Sequence, residues 1–446
     1  MPEGLTAALA AQARGIAFAK LPADVVTVAK TCVLDWLGCA LAGSREPLTD
    51  ILVTEAANHG PASLIGRDQT TTTQWASLVN GAAGHALDFD DTHLVMSGHP
   101  TAPVLPGLLA LGESKNVNGK AFVAAFVAGV ETECRLGALI GLGHYSLGFH
   151  STATLGTFSA TAACAHLLGL LESQWLHAFG VAGIEAAGLK SVFGTMSKPF
   201  QAGRASANGL LAATLASRGF TSAPDIVETA QGFAATHGGG ELDDNALERY
   251  AGRFLVRDTV FKYHASCYLT HSAMEAALVL RDRMKFRADV AEAIRVIVPP
   301  GSLAVCNIAR PQTGLEGKFS LRATVAMALC GDDTADPASF TDERMRDPAL
   351  VSVRDRVEVV PSEEVAGSQA RVEIQLGGAW RNGETVDVGR PAEDVDKQWS
   401  RITEKFIRLA APVLGEDAAW RLHDRVDSLP DLADVAEIAT LASRAR

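Results

Sequence analysis

Residues 21–43, LPADVVTVAKTCVLDWLGCALAG, predict a long buried helix, and their pattern recurs along most of the chain. Pro22 suits a first helical turn, and Gly43 closes the segment. Between them, apolar side chains such as Val25, Val28 and Cys32 recur at helical spacing. The same periodicity predicts further helices at about residues 74–91, 102–114, 119–140, 151–171, 173–190, 199–218 and 266–283.

The pattern changes between about residues 286 and 395, where apolar residues alternate as in β-strands. AIRVIVPP (293–300), RVEVVP (356–361) and RVEIQL (371–376) predict solvent-faced antiparallel strands, with a helix over 319–330 between the first two. The sequence therefore predicts a mainly α protein. An all-helical domain covers 1–270 and is completed by 396–446, and a smaller α+β lid domain covers 271–395.

Composition and charge narrow the function. The 446 residues carry a formal net charge of -12 and no run of Lys or Arg, which argues against a nucleic-acid partner or an anionic membrane surface. The N-terminus lacks a signal-peptide pattern, and residues 136–171 are apolar but interrupted by Gly, Ser, Thr and His, as in buried helices. We expect a cytoplasmic protein whose seven scattered cysteines are free, buried thiols.

No cofactor motif is present in the sequence. GALIGLGH (137–144) is glycine-rich but lacks the spacing of a dinucleotide fingerprint, and the chain has neither a G-x-S-x-G elbow nor an H-E-x-x-H zinc motif. We therefore predict no cofactor.

Basic side chains directly precede several predicted helix starts: His99, His150, Lys198, and the pair Lys262 and His264. A positive charge at a helix N-terminus opposes the helix dipole by roughly 0.3–1 kcal/mol. Any one of these residues alone is most simply a solvated loop residue. Together they predict a shared anion site, which a substrate with two or more carboxylates would satisfy.

The segment HALDFDDTHLVMSGH (85–99) adds carboxylates to this set. On a helix, His85, Asp88 and Thr92 would share one face, while Asp90 and Asp91 would point elsewhere.

Three alternatives stay open for this segment. Asp88, Asp91, His93 and His99 have the ligand types of a metal site, although their spacing matches no known cage. Asp88 could instead cap a helix or pair with a neighbour, or act as a catalytic base or as the orienter of His99.

Six motifs resemble the MmgE/PrpD family in order and spacing: DWLGCALAG (35–43), HALDFDDTH (85–93), GHPTAPVLP (98–106), GFHSTATLGT (148–157), SKPFQAGRASANG (197–209) and FKYHASCYLTHSA (261–273). The resemblance runs from about residue 20 to beyond 410. It implies a large helical domain with a smaller α+β lid, a homodimer, no cofactor or metal, and small polycarboxylate substrates. Members of this family include 2-methylcitrate dehydratases, cis-aconitate decarboxylases and iminodisuccinate epimerases.

Carried onto this chain, the resemblance implies six site residues: Asp88, Thr92, His99, His150, Lys198 and Lys262. The chemistry of the family starts beside a carboxylate, where nearby cations stabilise the developing negative charge. We predict that the catalytic residues are His99, His150, Lys198, Tyr145 and Asp88. We predict that Thr92, Lys262, Arg204 and His264 bind substrate, and we predict no metal ligand.

The sequence departs from the decarboxylase pattern at Ala323, where a tyrosine is expected, and the chain is short for a dehydratase of the family. Its similarity is greatest to iminodisuccinate epimerase. We therefore predict a cofactor-independent epimerase that removes and returns a proton beside a carboxylate of an imino or amino polycarboxylate. The alternatives are a 2-methylcitrate dehydratase-like or cis-aconitate decarboxylase-like lyase, and a helical protein that binds polycarboxylates without catalysis.

Overall fold

The computed structural model describes residues 4–56, 59–239 and 242–443. The chain divides into two compact units. The larger unit runs up to Phe261 and resumes at Ala392, and the smaller unit is Lys262–Pro391. The larger unit is helical and the smaller one combines helices with a sheet, so the predicted fold class is confirmed. The smaller unit begins at Lys262, whereas the sequence placed this boundary at residue 271.

Helices build the larger unit, together with a two-stranded antiparallel hairpin of β1 (Ala62–Ser63) and β2 (Thr70–Thr71). Its helices are α1 (Leu5–Arg14), α2 (Ala23–Gly43), α3 (Pro47–Glu55), α4 (Thr73–His85), α5 (Thr101–Glu113), α6 (Gly119–Leu147), α7 (Ser151–Leu167), α8 (Glu172–Glu185), α9 (Ser197–Ser217), α10 (Phe233–His237), α11 (Ala246–Arg249), α17 (Val395–Leu414), α18 (Glu416–Asp427) and α19 (Ala436–Ala442).

Helix α2 is the predicted buried helix of residues 21–43. It is long and apolar enough to cross a membrane by length and composition, but 78% of its most apolar window is buried inside the protein. It packs against α17 and α4, so a helix from the end of the chain covers one from its beginning. This is the burial expected of a core helix in a globular protein.

Glycines let α4, α7 and α9 approach closely. A Cβ added to Gly81 of α4 would lie 2.6 Å from the Cα of Gly203 in α9. A Cβ added to Gly209 of α9 would lie 2.4 Å from the Cβ of Ala160 in α7. The C-terminus of α4 and the N-termini of α5, α7 and α9 converge in one region, where the rings of His99 and His150 contact that of His85 and Lys198 pairs with Asp88.

Helix α4 ends at His85, six residues earlier than the sequence predicts. Residues 86–100 form turns, in which Asp88 has a left-handed backbone (φ 51°). Aspartate tolerates this conformation better than most residues, and its carboxylate competes with the backbone for hydrogen bonds. The prediction of a helix through residue 91 was therefore wrong.

The smaller unit contains α12 (His271–Met284), α13 (Gly314–Gly317), α14 (Leu321–Cys330), α15 (Asp342–Arg346) and α16 (Pro348–Arg354). Its sheet has the order β4-β3-β5-β6, with β3 (Ala293–Val298), β4 (Val357–Pro361), β5 (Gln369–Leu376) and β6 (Ala379–Asp387). Strand β3 pairs in parallel with β4, so the prediction of antiparallel strands was wrong for this pair. A helical crossover that includes α14 joins these strands, and such connections give parallel neighbours.

All seven cysteines are free, as predicted. Five of them are buried and Cys267 is half-buried, whereas Cys330 is exposed, so the prediction of burial was wrong for Cys330. Burial raises the pKa of the Cys32, Cys39, Cys134 and Cys164 thiols, so these side chains act as small apolar groups in the core.

Candidate active site

The last residue of α4 forms a buried pair with a carboxylate of the following turn. His85 Nδ1 lies 3.0 and 2.9 Å from the two carboxylate oxygens of Asp90, and both side chains are 0% exposed. Burial lowers the pKa of His85 to about 4, so its ring is neutral near pH 7. Burial by itself raises the pKa of Asp90, but His85 and His99 hold that pKa well below its usual value. Asp90 is therefore ionised.

His99 lies between a buried carboxylate and a partly exposed one. Its Nδ1 is 3.3 Å from Asp90 Oδ2, and its Nε2 is 3.4 Å from Asp88 Oδ1. Its ring meets the His85 ring edge-on with centroids 4.6 Å apart. The backbone N–H of His99 donates to Thr152 Oγ1 at 3.0 Å, which ties the turn before α5 to the first turn of α7.

Lys198, in the first turn of α9, supplies a cation beside these groups. Its Nζ lies 2.6 Å from Asp88 Oδ1. This ion pair agrees with the alternative in which Asp88 pairs with a neighbour. The positive charge at the start of α9 is thus offset by a carboxylate of the chain itself, not only by an external anion.

His150 is the N-cap residue of α7 and is buried. Its ring stacks on His85 with centroids 5.9 Å apart and meets Phe193 edge-on at 4.9 Å. Burial lowers the pKa of His150 well below its usual value, and the nearby His85, Lys198 and His99 lower it further. The ring is neutral near pH 7, which corrects the expectation of a cation at this helix start.

We call His85, Asp88, Asp90, His99, His150 and Lys198 the His–Asp cluster; all six belong to the larger unit. The prediction that His85, Asp88 and Thr92 share a helix face was wrong, because α4 ends at His85. Asp90 reaches His85 instead. Thr92 pairs with Val260, each backbone N–H donating to the other's carbonyl at 2.8 and 2.9 Å.

The exposure of its side chains divides the cluster into an edge that solvent can reach, called the reachable edge, and a buried interior. The side chains of Asp88, His99 and Lys198 are 34%, 13% and 13% exposed, whereas those of His85 and Asp90 are not exposed at all. A small anionic molecule can therefore contact the first three directly. The two buried groups can act only through His99 and its neighbours.

A second layer of buried polar contacts holds the turn after α4 in place. Thr101 donates its backbone N–H to Asp91 Oδ1 at 3.3 Å, at the start of α5. Lys405 Nζ, from α17, lies 2.6 Å from Asp35 Oδ1 and 2.6 Å from the carbonyl oxygen of Phe89. Since Phe89 stands between Asp88 and Asp90, Lys405 anchors the backbone that presents both carboxylates.

Tyr145 and Arg204, two predicted site residues of the larger unit, have the following surroundings. Lys190 Nζ lies over the Tyr145 ring, 3.6 Å from its centroid, and donates to the Tyr145 carbonyl at 2.8 Å. Arg204 is exposed on α9, six residues after Lys198 and hence about 120° away around the helix. The structure brings Arg204 to another face of α9 than Lys198, and the catalytic role of Tyr145 stays a prediction.

Lys262 and His264 belong to the smaller unit, and both are buried. His264 Nδ1 lies 2.8 Å from Thr334 Oγ1, and its Nε2 lies 3.4 Å from Glu275 Oε1. Its ring packs on His271 with centroids 5.1 Å apart. Burial lowers the pKa of His271 well below its usual value, and His264 and Lys262 add to this effect. The substrate-binding roles of Lys262 and His264 stay predictions.

The His–Asp cluster is the candidate active site because of the chemistry of its side chains and not because of the size of a cavity. A cavity of about 920 Å³ in the larger unit is lined by Arg67, Asp68 and Arg421 among others, and no cluster residue lines it. That cavity holds no acid–base constellation comparable with the paired histidines and carboxylates of the cluster.

A metal could also use part of the cluster. His85, Asp88, Asp90 and His99 each offer a ligand atom within 4.8 Å of the others. This set differs from the sequence-based alternative, because Asp91 bonds Thr101 and His93 Nε2 lies 2.8 Å from the Leu255 carbonyl. Lys198 Nζ already places a positive charge 2.6 Å from Asp88, which disfavours a metal cation there.

We therefore expect EDTA to change the rate of any reaction catalysed at this cluster by less than about twofold. The reason is that Lys198 supplies the positive charge that a metal would otherwise provide. The measurement compares rates before and after chelation, together with metal content by mass spectrometry. One tightly held metal ion per chain, whose removal abolishes turnover and whose return restores it, would contradict this expectation.

Sequence reasoning missed the parts played by Asp90 and His85. Both residues belong to the 85–99 segment, but the prediction of a continuous helix there placed Asp90 on a different face from His85. The signal that could have corrected this is the D-F-D-D run itself, since several aspartates in succession favour turns over helix interiors.

Comparisons with known proteins cover nearly the whole chain. The profile of the MmgE/PrpD N-terminal domain matches residues 7–244, and that of the MmgE/PrpD C-terminal domain matches residues 264–430. The chain is 28% identical to cis-aconitate decarboxylase of Aspergillus terreus, over 97% of this chain and 94% of the relative. It is 29% identical to a cis-aconitate decarboxylase-like protein of Aspergillus oryzae (99% and 98%) and 25% identical to human cis-aconitate decarboxylase (99% and 95%).

Proposed function

Because this chain belongs to the MmgE/PrpD family, we propose that it is a cofactor-independent lyase that removes a carboxylate from a small polycarboxylate. The observation that carries the proposal is the reachable edge of the His–Asp cluster, where Asp88, His99 and Lys198 meet. The relatives named as cis-aconitate decarboxylases support the lyase alternative better than the epimerase that the sequence favoured.

Loss of CO2 breaks a carbon–carbon bond and leaves its electron pair on the remaining substrate. The Lys198 ammonium can stabilise that negative charge, since oriented charges in a partly buried site act strongly on a developing anion. His99 Nε2 then delivers a proton to carbon. Asp88 contacts both Lys198 and His99 and so keeps these two side chains next to each other. The neutral ring of His150 stacks on that of His85.

The second candidate is the epimerase, and Ala323 is the observation that favours it. The decarboxylase pattern has a tyrosine near this position, whereas Ala323 is a buried residue of α14 with no acidic group to offer. Epimerisation would use the same charge stabilisation without carbon–carbon cleavage. It requires a second proton carrier on the opposite face of the substrate carbon, and His150 and Tyr145 are our candidates.

Proton NMR in deuterium oxide distinguishes the two functions. The protein is incubated with cis-aconitate and, separately, with iminodisuccinate and chiral amino dicarboxylates. A lyase gives a product that lacks one carboxylate and carries solvent deuterium, together with released CO2. An epimerase exchanges the proton beside a carboxylate and keeps every carboxylate. A substrate panel that binds, with neither reaction detectable, would overturn the proposal in favour of a binding protein.

We also propose that the protein is a homodimer. Several exposed apolar side chains stand close in sequence to the site residues His150 and Lys198. Leu147, Leu189 and Met196 are 62%, 53% and 50% exposed. Phe193 and Phe200 add a further 38% each, and large exposed apolar surfaces commonly mark protein interfaces.

For the dimer, we expect sedimentation velocity to give twice the 46.8 kDa chain mass. Met196→Glu should shift the protein toward monomer, because it places a charge in an apolar contact. Ile51→Glu, at an exposed residue of α3, is the matched control and should leave the mass unchanged. A wild-type chain that sediments as a monomer at micromolar concentration contradicts the proposal.

A further inference from the structure

We propose that Asp90 is a positioning residue that fixes the tautomer of His99, with His85 holding Asp90 from behind. The inference rests on the proposed role of His99 as the proton carrier. Asp90 contacts two imidazoles with one carboxylate: His85 Nδ1 lies 2.9 Å and His99 Nδ1 lies 3.3 Å from Asp90 Oδ2.

An ionised carboxylate accepts hydrogen bonds and cannot donate them. His85 Nδ1 bonds Asp90 and must therefore donate its proton. His99 Nδ1 lies 3.3 Å from Asp90 Oδ2, outside hydrogen-bond geometry, and a proton on it makes this contact with the buried carboxylate electrostatically favourable. Asp88 lies almost as close to Nε2, at 3.4 Å, but it is 34% exposed and Lys198 offsets its charge at 2.6 Å. The unexposed Asp90 therefore decides that neutral His99 keeps its proton on Nδ1. The proton that it exchanges with a substrate is always the one on Nε2.

The direction of His99 Nε2 agrees with this role. It points toward Asp88 Oδ1, 3.4 Å away, at the edge of the cluster that a small molecule can reach. Nδ1 points inward to Asp90, which is not exposed. If the Nδ1 proton moved to Nε2, the lone pair would face the buried carboxylate and the reactive nitrogen could only donate.

His85 completes the arrangement by donating a hydrogen bond to the buried carboxylate. A buried carboxylate with few donors is destabilised, and His85 Nδ1 contacts both oxygens of Asp90 at 3.0 and 2.9 Å. The His85 ring also lies edge-on to His99 and stacked on His150, so both of these rings help to hold it in place. His85 thus supports Asp90 and does not itself meet the substrate.

The next carboxylate along the chain cannot do the same. Asp91 is equally buried, but burial raises its pKa well above the usual value, and Asp35 and Asp90 raise it further. Its contact is with Thr101 at the start of α5, and none of its described contacts is with His99. Asp91 therefore provides a matched control one residue away.

Asp90→Asn tests the positioning role in the full-length protein. Because an amide can donate to Nδ1, it allows the wrong tautomer, and we expect kcat to fall by about 100-fold with KM within about threefold. In protein labelled with 15N-histidine, the His99 signals should lose the state with the proton on Nδ1. Asp91→Asn should keep the wild-type tautomer and a kcat within about threefold of wild type.

Asp90→Glu separates positioning from stability. It restores a carboxylate but adds a methylene to a close-packed position, so we expect it to be less stable than Asp90→Asn. We nevertheless expect its kcat to be about tenfold higher than that of Asp90→Asn. A merely structural role predicts the opposite order, with activity following stability, and that order would overturn the proposal.

His85→Gln tests the contact between His85 and Asp90. If Asp90→Asn fails to fold, this variant decides whether Asp90 positions His99. It removes the imidazole support and keeps the carboxylate, so we expect kcat to fall by about tenfold with KM unchanged. Suppose that a His99 variant is inactive but His85→Gln or Asp90→Asn keeps the wild-type kcat. That result overturns this inference and leaves the proposed role of His99 intact. Full activity in the His99 variant instead removes the proposed role of His99.

Discussion

Replacing His99 by glutamine is expected to lower kcat by about 1000-fold, because it removes the group that carries the proton at the reachable edge of the cluster. Glutamine keeps a polar side chain of similar size but cannot exchange protons near neutral pH. The assay is release of CO2 from cis-aconitate, or of the product from whichever substrate of the NMR panel reacts, at saturating concentration.

His93 supplies the matched control for this variant. It lies in the same turn and is also a buried histidine, but its Nε2 contacts the Leu255 carbonyl at 2.8 Å instead of a carboxylate of the cluster. His93→Gln can still donate to that carbonyl, so we expect kcat per folded molecule within about threefold of wild type. Equal losses in the two variants would mean that the His99 effect reports stability and not chemistry.

Replacing Lys405 by methionine is expected to lower the free energy of unfolding by about 3–5 kcal/mol, a large share of a typical total of about 5–15 kcal/mol. Lys405 and Asp35 are 3% and 0% exposed, so methionine would leave the carboxylate buried without its cation. The Phe89 carbonyl would lose its donor as well. Urea unfolding followed by circular dichroism measures the change.

The double variant Asp35→Asn with Lys405→Met should be more stable than Lys405→Met alone, because it also removes the buried negative charge that Lys405 neutralises. Lys30→Met is the matched control: Lys30 of α2 pairs at 2.7 Å with Asp427 of α18, a partner that is 56% exposed. We expect that variant to lose less than about 1 kcal/mol. Similar losses for Lys405→Met and Lys30→Met would refute the importance of burial for the Lys405 pair.

Helix positions were largely predictable from the sequence. The expected starts at about residues 102, 119 and 151 lie within one residue of the starts of α5, α6 and α7. Apolar periodicity and helix-opening residues are local features, so they survive without knowledge of distant neighbours. The prediction failed at the end of α4, where an interaction between His85 and Asp90 replaces a further helical turn.

The candidate site was predictable in part. His99, Lys198 and His150 were selected because they stand at helix starts, and the structure brings these three residues together with Asp88. Their charges were less predictable. His150 and His85 are neutral because burial lowers their pKa values, and burial is a property of the folded chain.

By itself the sequence determined the helical character of the larger unit and the α+β character of the smaller one, and it selected most of the candidate residues of the His–Asp cluster. These depend on periodicity and side-chain chemistry, which each segment carries alone. Only the tertiary structure decided that Asp90 faces His85 and His99, and that Lys405, more than 300 residues away, holds the turn between Asp88 and Asp90. The physical reason is that a buried charge must find a partner wherever the fold places one, and sequence distance does not limit that choice.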